Sequence, residues 1–352
     1  MPLSSSQPGT FPPNLARKLA AGIESGLLAN LHTVLVGHRG KIALEHYGTG
    51  PDENWGRPLG TVQQSPATLH DLRSVTKSIL GILYGIARGR GLVPPPEAPL
   101  LAQFPDYPDL AADPARAGLR IEHALTMSLG MEWDESSRPY TDPLNSEIAM
   151  EAAPHRYRFI LERPIVEAPG KNWIYSGGAV ALIGALIARG TGQRLEDFAR
   201  DALFAPLGIT HFGWSAGRDG IASAASGLRL TAPDLLKIGT MLLDGGQYQG
   251  NRIVSTAWLD QSFKPHVATG DGWHYGYFWF QGEAPAPSGI QSGAAGPRRW
   301  FGGFGNGGQR LWLQPDTGIA AVIFSGAYNQ PDSWVTPMRI WREIVLANFT
   351  AS

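Results

Sequence analysis

Cysteine is absent from the 352 residues. That excludes disulfides, thiol nucleophiles and cysteine-ligated metals. Charge is scarce too: Asp, Glu, Lys and Arg make up 17% of the chain, and the formal net charge is −1. There is no long run of Lys or Arg, and a nucleic-acid surface needs a basic stripe. No uninterrupted apolar stretch reaches the ~18 residues of a membrane span. The nine histidines form no His-Glu-x-x-His and no close pair in sequence, so they give no metal-hydrolase signature. Residues 1–14 lack the basic start and apolar core of a secretory leader. They read as a loose N-terminal segment on a cytoplasmic protein. Neither a metal nor a cofactor is implied, and the oligomeric state is left open.

What is present is apolar content. A hydrophobic fraction of 43% supplies a large core, and this length favours two packed lobes. Residues 15–28 have helical spacing. Thr33 to Val36 and Ile42 to Leu44 read as strands around a turn at Arg39-Gly40. Gly and Pro between 48 and 66 mark a long loop. Residues 74–88 form a helix with little polar surface. Helical segments separated by Pro and Gly follow to Gly208. Thr231 caps a further helix, with Pro233 in its first turn. Strand-like pieces lie at 275–280, 309–313 and 319–324, and 337–349 reads as a closing helix. Strands at both ends with helices between them predict an α/β lobe built from 15–90 and 212–352. A mainly helical lobe, 91–211, is inserted, with a cleft between the two.

Ser74-Val75-Thr76-Lys77 sets a hydroxyl and an amine three residues apart, on one face of a helix. A serine needs a partner that takes its proton as it attacks. Lys77 can do so if burial lowers its pKa. A capping Ser and an exposed Lys give the same spacing, but the flanking Ser78-Ile79-Leu80 is too apolar for a solvated face.

With Leu125-Thr126-Met127-Ser128-Leu129-Gly130 and Pro169-Gly170-Lys171-Asn172-Trp173-Ile174-Tyr175-Ser176-Gly177, this segment resembles the serine β-lactamase and penicillin-binding-protein superfamily. The closest branch is the class C-like one, which includes esterases and nylon-oligomer hydrolases. The resemblance runs from about 32 to 324. It implies an α/β plus all-α fold of the β-lactamase/transpeptidase type, an antiparallel sheet flanked by helices with an inserted helical lobe. It implies Ser74 as nucleophile, Lys77 as activator and Tyr175 as the phenol that moves the proton. Tyr175 ionising near 7 would need the Lys77 ammonium beside it. Such a pair titrates as a unit. A Tyr packed in the core is the plainer alternative for residue 175.

The oxyanion hole is expected from the backbone N–H groups of Ser74 and Asn306, with Gly303-Phe304-Gly305 as the third motif. A shifted register would put Asn306-Gly307-Gly308 there, and an ordinary Gly-rich turn remains open. No Lys or His stands in that motif, and Gly177 replaces the Asn of the second. Both departures argue against efficient β-lactam hydrolysis. Gly177, Gly303, Phe304, Gly305 and Trp173 are expected around the substrate, with Trp133, Tyr140, Trp300 and Phe301 nearby in sequence. Asp142 is a candidate for a substrate amine, against the simpler reading of a solvated loop carboxylate. Arg298 or Arg299 is a candidate for the missing charge, against exposed loop arginines.

Three other readings compete. Gly213-Trp214-Ser215-Ala216-Gly217 fits a nucleophile elbow, but no strand-to-helix context surrounds it. A metal hydrolase lacks a motif. A binding module of the same fold would not need Ser74, Lys77 and Tyr175 together. The expectation is therefore an enzyme that acts through an acyl-enzyme on small esters first, short amides second (aminohexanoate-like or peptide) and β-lactams third. Its partner is a small molecule, not nucleic acid.

Overall fold

The computed structural model describes residues 9–12, 14–284 and 298–351. In chain order its principal elements begin with helix α1 (Leu15–Glu24), strands β1 (Leu31–His38) and β2 (Lys41–Tyr47), and the ribbon β3 (Thr49–Asn54) and β4 (Arg57–Gln63). Helices α2 (Val75–Gly89), α3 (Gly177–Thr191) and α4 (Ala232–Leu243) follow. The last strands are β5 (Val267–Ala268), β6 (His274–Tyr275), β7 (Phe280–Ala284), β8 (Arg298–Gly305), β9 (Gln309–Gln314) and β10 (Ile319–Ser325).

One antiparallel sheet carries the molecule, in the order β5-β6-β7-β8-β9-β10-β1-β2. The first long strand therefore lies beside the last, with Val34 opposite Ile323 and Leu35 opposite Val322. Both faces of these strands are covered. Val34, Val36, Ala321 and Ile323 point to a core with α1 and the C-terminal helix. Leu35, Ala320, Val322 and Phe324 point to the larger core that holds α2 and α4. This is why β10 reads as a continuous apolar run rather than an alternation. Between α2 and residue 213 the chain forms helices and loops, and none of the described residues there joins the sheet.

Three expectations need correction here. The stretch 275–280 is not one strand: it breaks between Tyr275 and Phe280, where Phe278 takes φ 62°. The stretch 48–66 is not one long loop: β3 and β4 pair as a ribbon from Thr49–Gln63 to Asn54–Arg57. Pro51 and Pro58 are tolerated because the ribbon is two-stranded, with free edges. Of the loose start, Gly9 and Thr10 pair with Ala351 and Thr350, while residues 1–8 lie outside the described residues. The closing helix is present, as an α-helical turn at Val335–Arg339 continued by a wider one at Ile340–Val345.

Helix α2 is buried almost throughout, from Val75 to Ala87. Its glycines permit this. A Cβ at Gly85 would lie 2.0 Å from the Trp258 ring. Gly85→Ala is therefore expected to cost about 1–3 kcal/mol through overpacking. Chemical denaturation checks this; an unchanged midpoint would show that Trp258 yields freely.

Candidate active site

Ser74 ends the turn that enters α2. The residue before it, Arg73, has φ 48°, which a side chain adopts at a cost. Arg73 is held there by the Glu53 carboxylate and by stacking over Tyr328 at 5.1 Å. A short strand, His70–Asp71, leads into the turn and pairs with Arg229 and Leu230. Beneath it His32 and His70 share a hydrogen bond of 2.9 Å. Asp52 lies 3.7 Å from His70 and accepts from the Tyr328 hydroxyl. These two histidines are 38 residues apart, so spacing in sequence could not join them. His32, Asp52 and His70 are the described residues that could hold a metal. As found, they brace the Ser74 turn.

One turn into α2, the Lys77 ammonium donates to Ser74 Oγ at 2.9 Å and to the Ala225 carbonyl at 3.1 Å. Tyr175 comes from the extended segment before α3. Its phenol lies close enough to Ser74 and Lys77 for both to favour its ionised form against burial. Lys77 Nζ lies 4.8 Å from its ring centroid. Trp173 packs on Tyr175 at 5.6 Å, and Phe280 stacks at 6.5 Å. So the structure brings Ser74, Lys77 and Tyr175 together, and Trp173 buttresses the phenol rather than lining a cleft.

Two carboxylates missed in the sequence complete this cluster. Glu135 lies 3.8 Å from Lys77 Nζ and accepts from the Gly177 N–H and Trp133 Nε1, each at 2.6 Å. The Tyr140 hydroxyl donates to its other oxygen at 3.2 Å. Glu147, also buried, accepts from Ser226 at 2.9 Å. A Cβ at Gly177 would sit 3.0 Å from Glu147 and 3.2 Å from Glu135. The space where a larger residue at 177 would project is thus filled by these acids.

Their charge changes the protonation expected from sequence. Burial works against the Lys77 ammonium, but Tyr175, Glu147 and Glu135 outweigh it and hold the lysine above its ordinary value. Burial pushes the Tyr175 phenol up, and Lys77 only partly opposes this. The resting pair is therefore an ammonium and a neutral phenol. The apolar helix does not make Lys77 a free amine, because the neighbouring charges outweigh its burial.

Glu135 is itself pushed up to about 8, first by burial and then by Glu147, with Lys77 opposing. Its folded pKa lies above its unfolded one. Stability is therefore expected to fall as pH rises from the ordinary Glu value towards 8, because the unfolded chain gives up this proton first. Glu135→Gln should flatten that decline and melt above the wild type at pH 8, with little difference near pH 4. Thermal melts at both pH values check this, and equal melting temperatures at pH 8 would contradict it.

The end of β8 meets the Ser74 turn. A Cβ at Gly305 would lie 2.4 Å from the Leu72 carbonyl, and one at Gly303 would lie 2.8 Å from Ser78 Oγ. These glycines let the strand press against α2, so the third motif is strand rather than turn. Gly303 faces the helix and Phe304 faces the opposite core. Asn306 follows the strand. Its side chain donates to Asn329 Oδ1 at 2.9 Å and accepts from the Asn329 N–H at 2.7 Å. Among the described residues, neither the Ser74 N–H nor the Asn306 N–H has a hydrogen-bond acceptor.

Two clefts meet at Ser74 and Asn306. The larger, about 720 Å³, is lined by Arg73, Tyr140, Glu147, Glu151 and Ser226 among others. The second, about 460 Å³, is lined by Tyr175, Phe280, Phe304, Gly305 and Arg310 among others. Asp142 lines neither. It is a surface residue, paired with Arg138 at 3.1 Å, and the acid that reaches the cluster from this loop is Glu135. Arg298 and Arg299 lie on β8, not on a loop; Arg298 is buried with its guanidinium over Phe349. Phe301 and Trp300 belong to the two cores. Ser215 follows a two-residue strand, Gly213–Trp214, and no helix begins until Ala232, so the elbow reading is set aside.

Such a fold and cluster define a serine hydrolase. The chain belongs to the beta-lactamase family, whose model matches residues 21–339. It is 24% identical over 298 residues to the 6-aminohexanoate-dimer hydrolase of Paenarthrobacter ureafaciens, covering 76% of this chain and 69% of that protein. It is 26% identical over 325 residues to esterase EstB of Burkholderia gladioli, covering 77% and 80%. Among solved structures, EstCE1, described as a hydrolase with promiscuous acyltransferase activity, superposes with a TM-score of 0.72 at 16% identity, covering 95% of this chain and 98% of that one. The D-alanine carboxypeptidase AmpC of Burkholderia cenocepacia has the same fold, with a TM-score of 0.64 at 17% identity, covering 93% and 97%. No helix among the described residues is long and apolar enough to cross a membrane.

Proposed function

We propose that Ser74 is the nucleophile of an acyl-transfer reaction that hydrolyses small carboxylic esters, with short amides as slower substrates. The observation that carries this reading is the contact of Lys77 Nζ with Ser74 Oγ at 2.9 Å, beside the Tyr175 phenol and at the meeting of two clefts. Ser74 Oγ bonds to the substrate carbonyl carbon as its proton passes to the Lys77–Tyr175 pair. Because both groups rest protonated, the reactive form is a minor one that has lost a proton between them, and the pair titrates jointly. The N–H groups of Ser74 and Asn306 receive the developing oxyanion. Tyr175 then delivers the proton to the leaving oxygen or nitrogen, and the acyl-enzyme remains. Water repeats the sequence, releases the acid and restores Ser74. Glu147, and Glu135 once it ionises, favour the charged lysine.

Esters come first because β8 offers Gly303 where a cation would anchor a β-lactam carboxylate, and because residue 177 has no side chain. Of the relatives, one is named an esterase and another a 6-aminohexanoate-dimer hydrolase, which fits a small ester or amide substrate. The test is a panel of p-nitrophenyl esters, short amides and nitrocefin. Hydrolysis of nitrocefin faster than every ester would overturn the ranking. No turnover of any ester, with Ser74 unlabelled by a fluorophosphonate, would remove the hydrolase reading at this serine. We further propose that 91–211 forms the helical lobe and that the enzyme works in the cytoplasm.

A further inference from the structure

We propose that His32, Asp52 and His70 form a buried site for one divalent transition-metal ion, with Zn²⁺ the best fit, that pins the Ser74 turn. The three residues come from β1, the ribbon strand β3 and the short strand before Ser74. None is more than 4% exposed, and one donor atom of each lies within 4.8 Å of the others. Proton counting shows an excess of lone pairs. His70 Nδ1 is 3.1 Å from the Asp71 carbonyl, which can only accept, so Nδ1 carries the ring proton. Burial keeps both rings neutral, and His70 Nε2 is therefore a bare acceptor. His32 Nδ1 must donate to it across their 2.9 Å contact, which leaves His32 Nε2 bare as well. Neither His32 Nε2 nor Asp52 Oδ2 has a hydrogen-bond partner among the described residues. Asp52 Oδ1 faces His70 Nε2 at 3.7 Å, acceptor against acceptor. Arg229 stands 3.8 Å from Asp52, but Asp71 and the Glu53 and Leu69 carbonyls hold it. Buried acceptors without donors are costly, and one cation would answer all of these.

Two neutral imidazoles and one carboxylate suit Zn²⁺ and its neighbours rather than Mg²⁺ or Ca²⁺. Tetrahedral ligation at about 2.0–2.1 Å sets donors about 3.3 Å apart. The contacts of 2.9 Å and 3.7 Å lie on either side of that spacing, so shifts of about 0.4 Å seat the ion. The Tyr328 hydroxyl, 2.9 Å from Asp52 Oδ1, is a fourth donor at hand. His70 already makes the outer contact that orients a ligating imidazole, with Nδ1–H on a backbone carbonyl. On binding, the His32 proton passes from Nδ1 to Nε2 and the ring stays neutral. Gly50 and Gly326 leave room there, since a Cβ at either would lie 2.6 Å or 2.5 Å from His32 Nε2. The Pro51 carbonyl, 2.7 Å from the same point at Gly326, offers the new N–H an acceptor. None of the three ligands lines either cleft. The ion therefore ties three elements together behind Ser74 and touches no reacting atom.

The test uses the untagged chain, stripped with a chelator, dialysed against Zn²⁺ and freed of loose metal by gel filtration. Atomic emission should find one Zn²⁺ per chain, held more tightly than about 1 μM. The melting temperature should rise by about 2–8 °C over that of the stripped protein. Co²⁺ should take the same place and show the strong visible bands of a four-coordinate ion, and Mg²⁺ should not compete. Asp52→Asn keeps the shape and should weaken Zn²⁺ binding at least tenfold, as loss of even an outer contact does. His274→Gln, at an exposed histidine, should change nothing. An Asp52→Asn variant that binds as tightly as the wild type would put the ion elsewhere and overturn the proposal. If that variant does not fold, the wild type alone decides: no retained ion, or no rise in melting temperature, rejects the site. No substrate enters these measurements, so their outcome is separate from that of the hydrolase reading.

Discussion

Ser74→Ala is expected to lower kcat for every hydrolysed ester by about 10⁴-fold or more, with the fold intact. Losses of that size follow removal of a nucleophile whose partners act as a unit. The structural cost is small. Ala accepts the backbone of residue 74, which is already helical at φ −69° and ψ −4°. Lys77 keeps the Ala225 carbonyl when the hydroxyl is gone. The lost hydrogen bond should cost only about 1 kcal/mol. Steady-state rates, melting temperature and fluorophosphonate labelling measured together separate the cases. A variant that melts like the wild type and still turns over at a comparable rate would exclude Ser74 as nucleophile.

The second large effect is at Lys77, and it should appear in stability as well as in rate. Its side chain is 2% exposed and faces the buried Glu135, with Glu147 close enough to hold the ammonium charged. Lys77→Met keeps the volume and removes the cation, which leaves two acids without compensation. Breaking a buried pair from one side costs about 3–5 kcal/mol. The loss should be greater at pH 9 than at pH 6, because Glu135 can remain protonated at the lower value. Turnover should fall by about 10³-fold or more, since Ser74 has lost the group that stabilises a phenolate beside it. The double variant Lys77→Met, Glu135→Gln should regain most of the stability and none of the rate. Denaturant melts and kinetics on the three proteins check this. A single variant as stable as the double would show that Glu135 and Lys77 are not coupled.

The parts of the site that lie within one element were legible in the sequence. Ser74 and Lys77 share a helix face, and the apolar residues around them announce burial. Tyr175 was found through its motif, and its approach to Ser74 depends on the packing of α3, which no local pattern encodes. Glu135 was missed for a related reason. The loop after Gly130 carries several acids, and Asp142 was chosen because loop position alone cannot separate a buried carboxylate from a solvated one. What distinguishes Glu135 is the Gly177 N–H and the Lys77 ammonium, both supplied by distant elements. The direction of the Lys77 shift was misjudged for the same omission. On the larger scale, the long helices and the strands at 309–314 and 319–325 followed from periodicity, whereas 275–280 did not stay one strand, because the chain turns at Phe278 between β6 and β7. Nor was the β3–β4 ribbon legible, because Gly and Pro at a two-stranded edge look like loop. The Gly-rich β8 was expected as a motif, but its glycines record close approach to α2 rather than turning.

The pairing of β1 with β10 has a consequence for how the enzyme comes into being. Ser74 is synthesised some 250 residues before Ser325 (325 − 74 = 251), yet the sheet that backs its helix closes only when residue 325 has emerged. Such distant pairings slow folding and leave apolar surface open meanwhile. A nascent chain therefore carries its serine long before the strands that shape the cleft around it have been made.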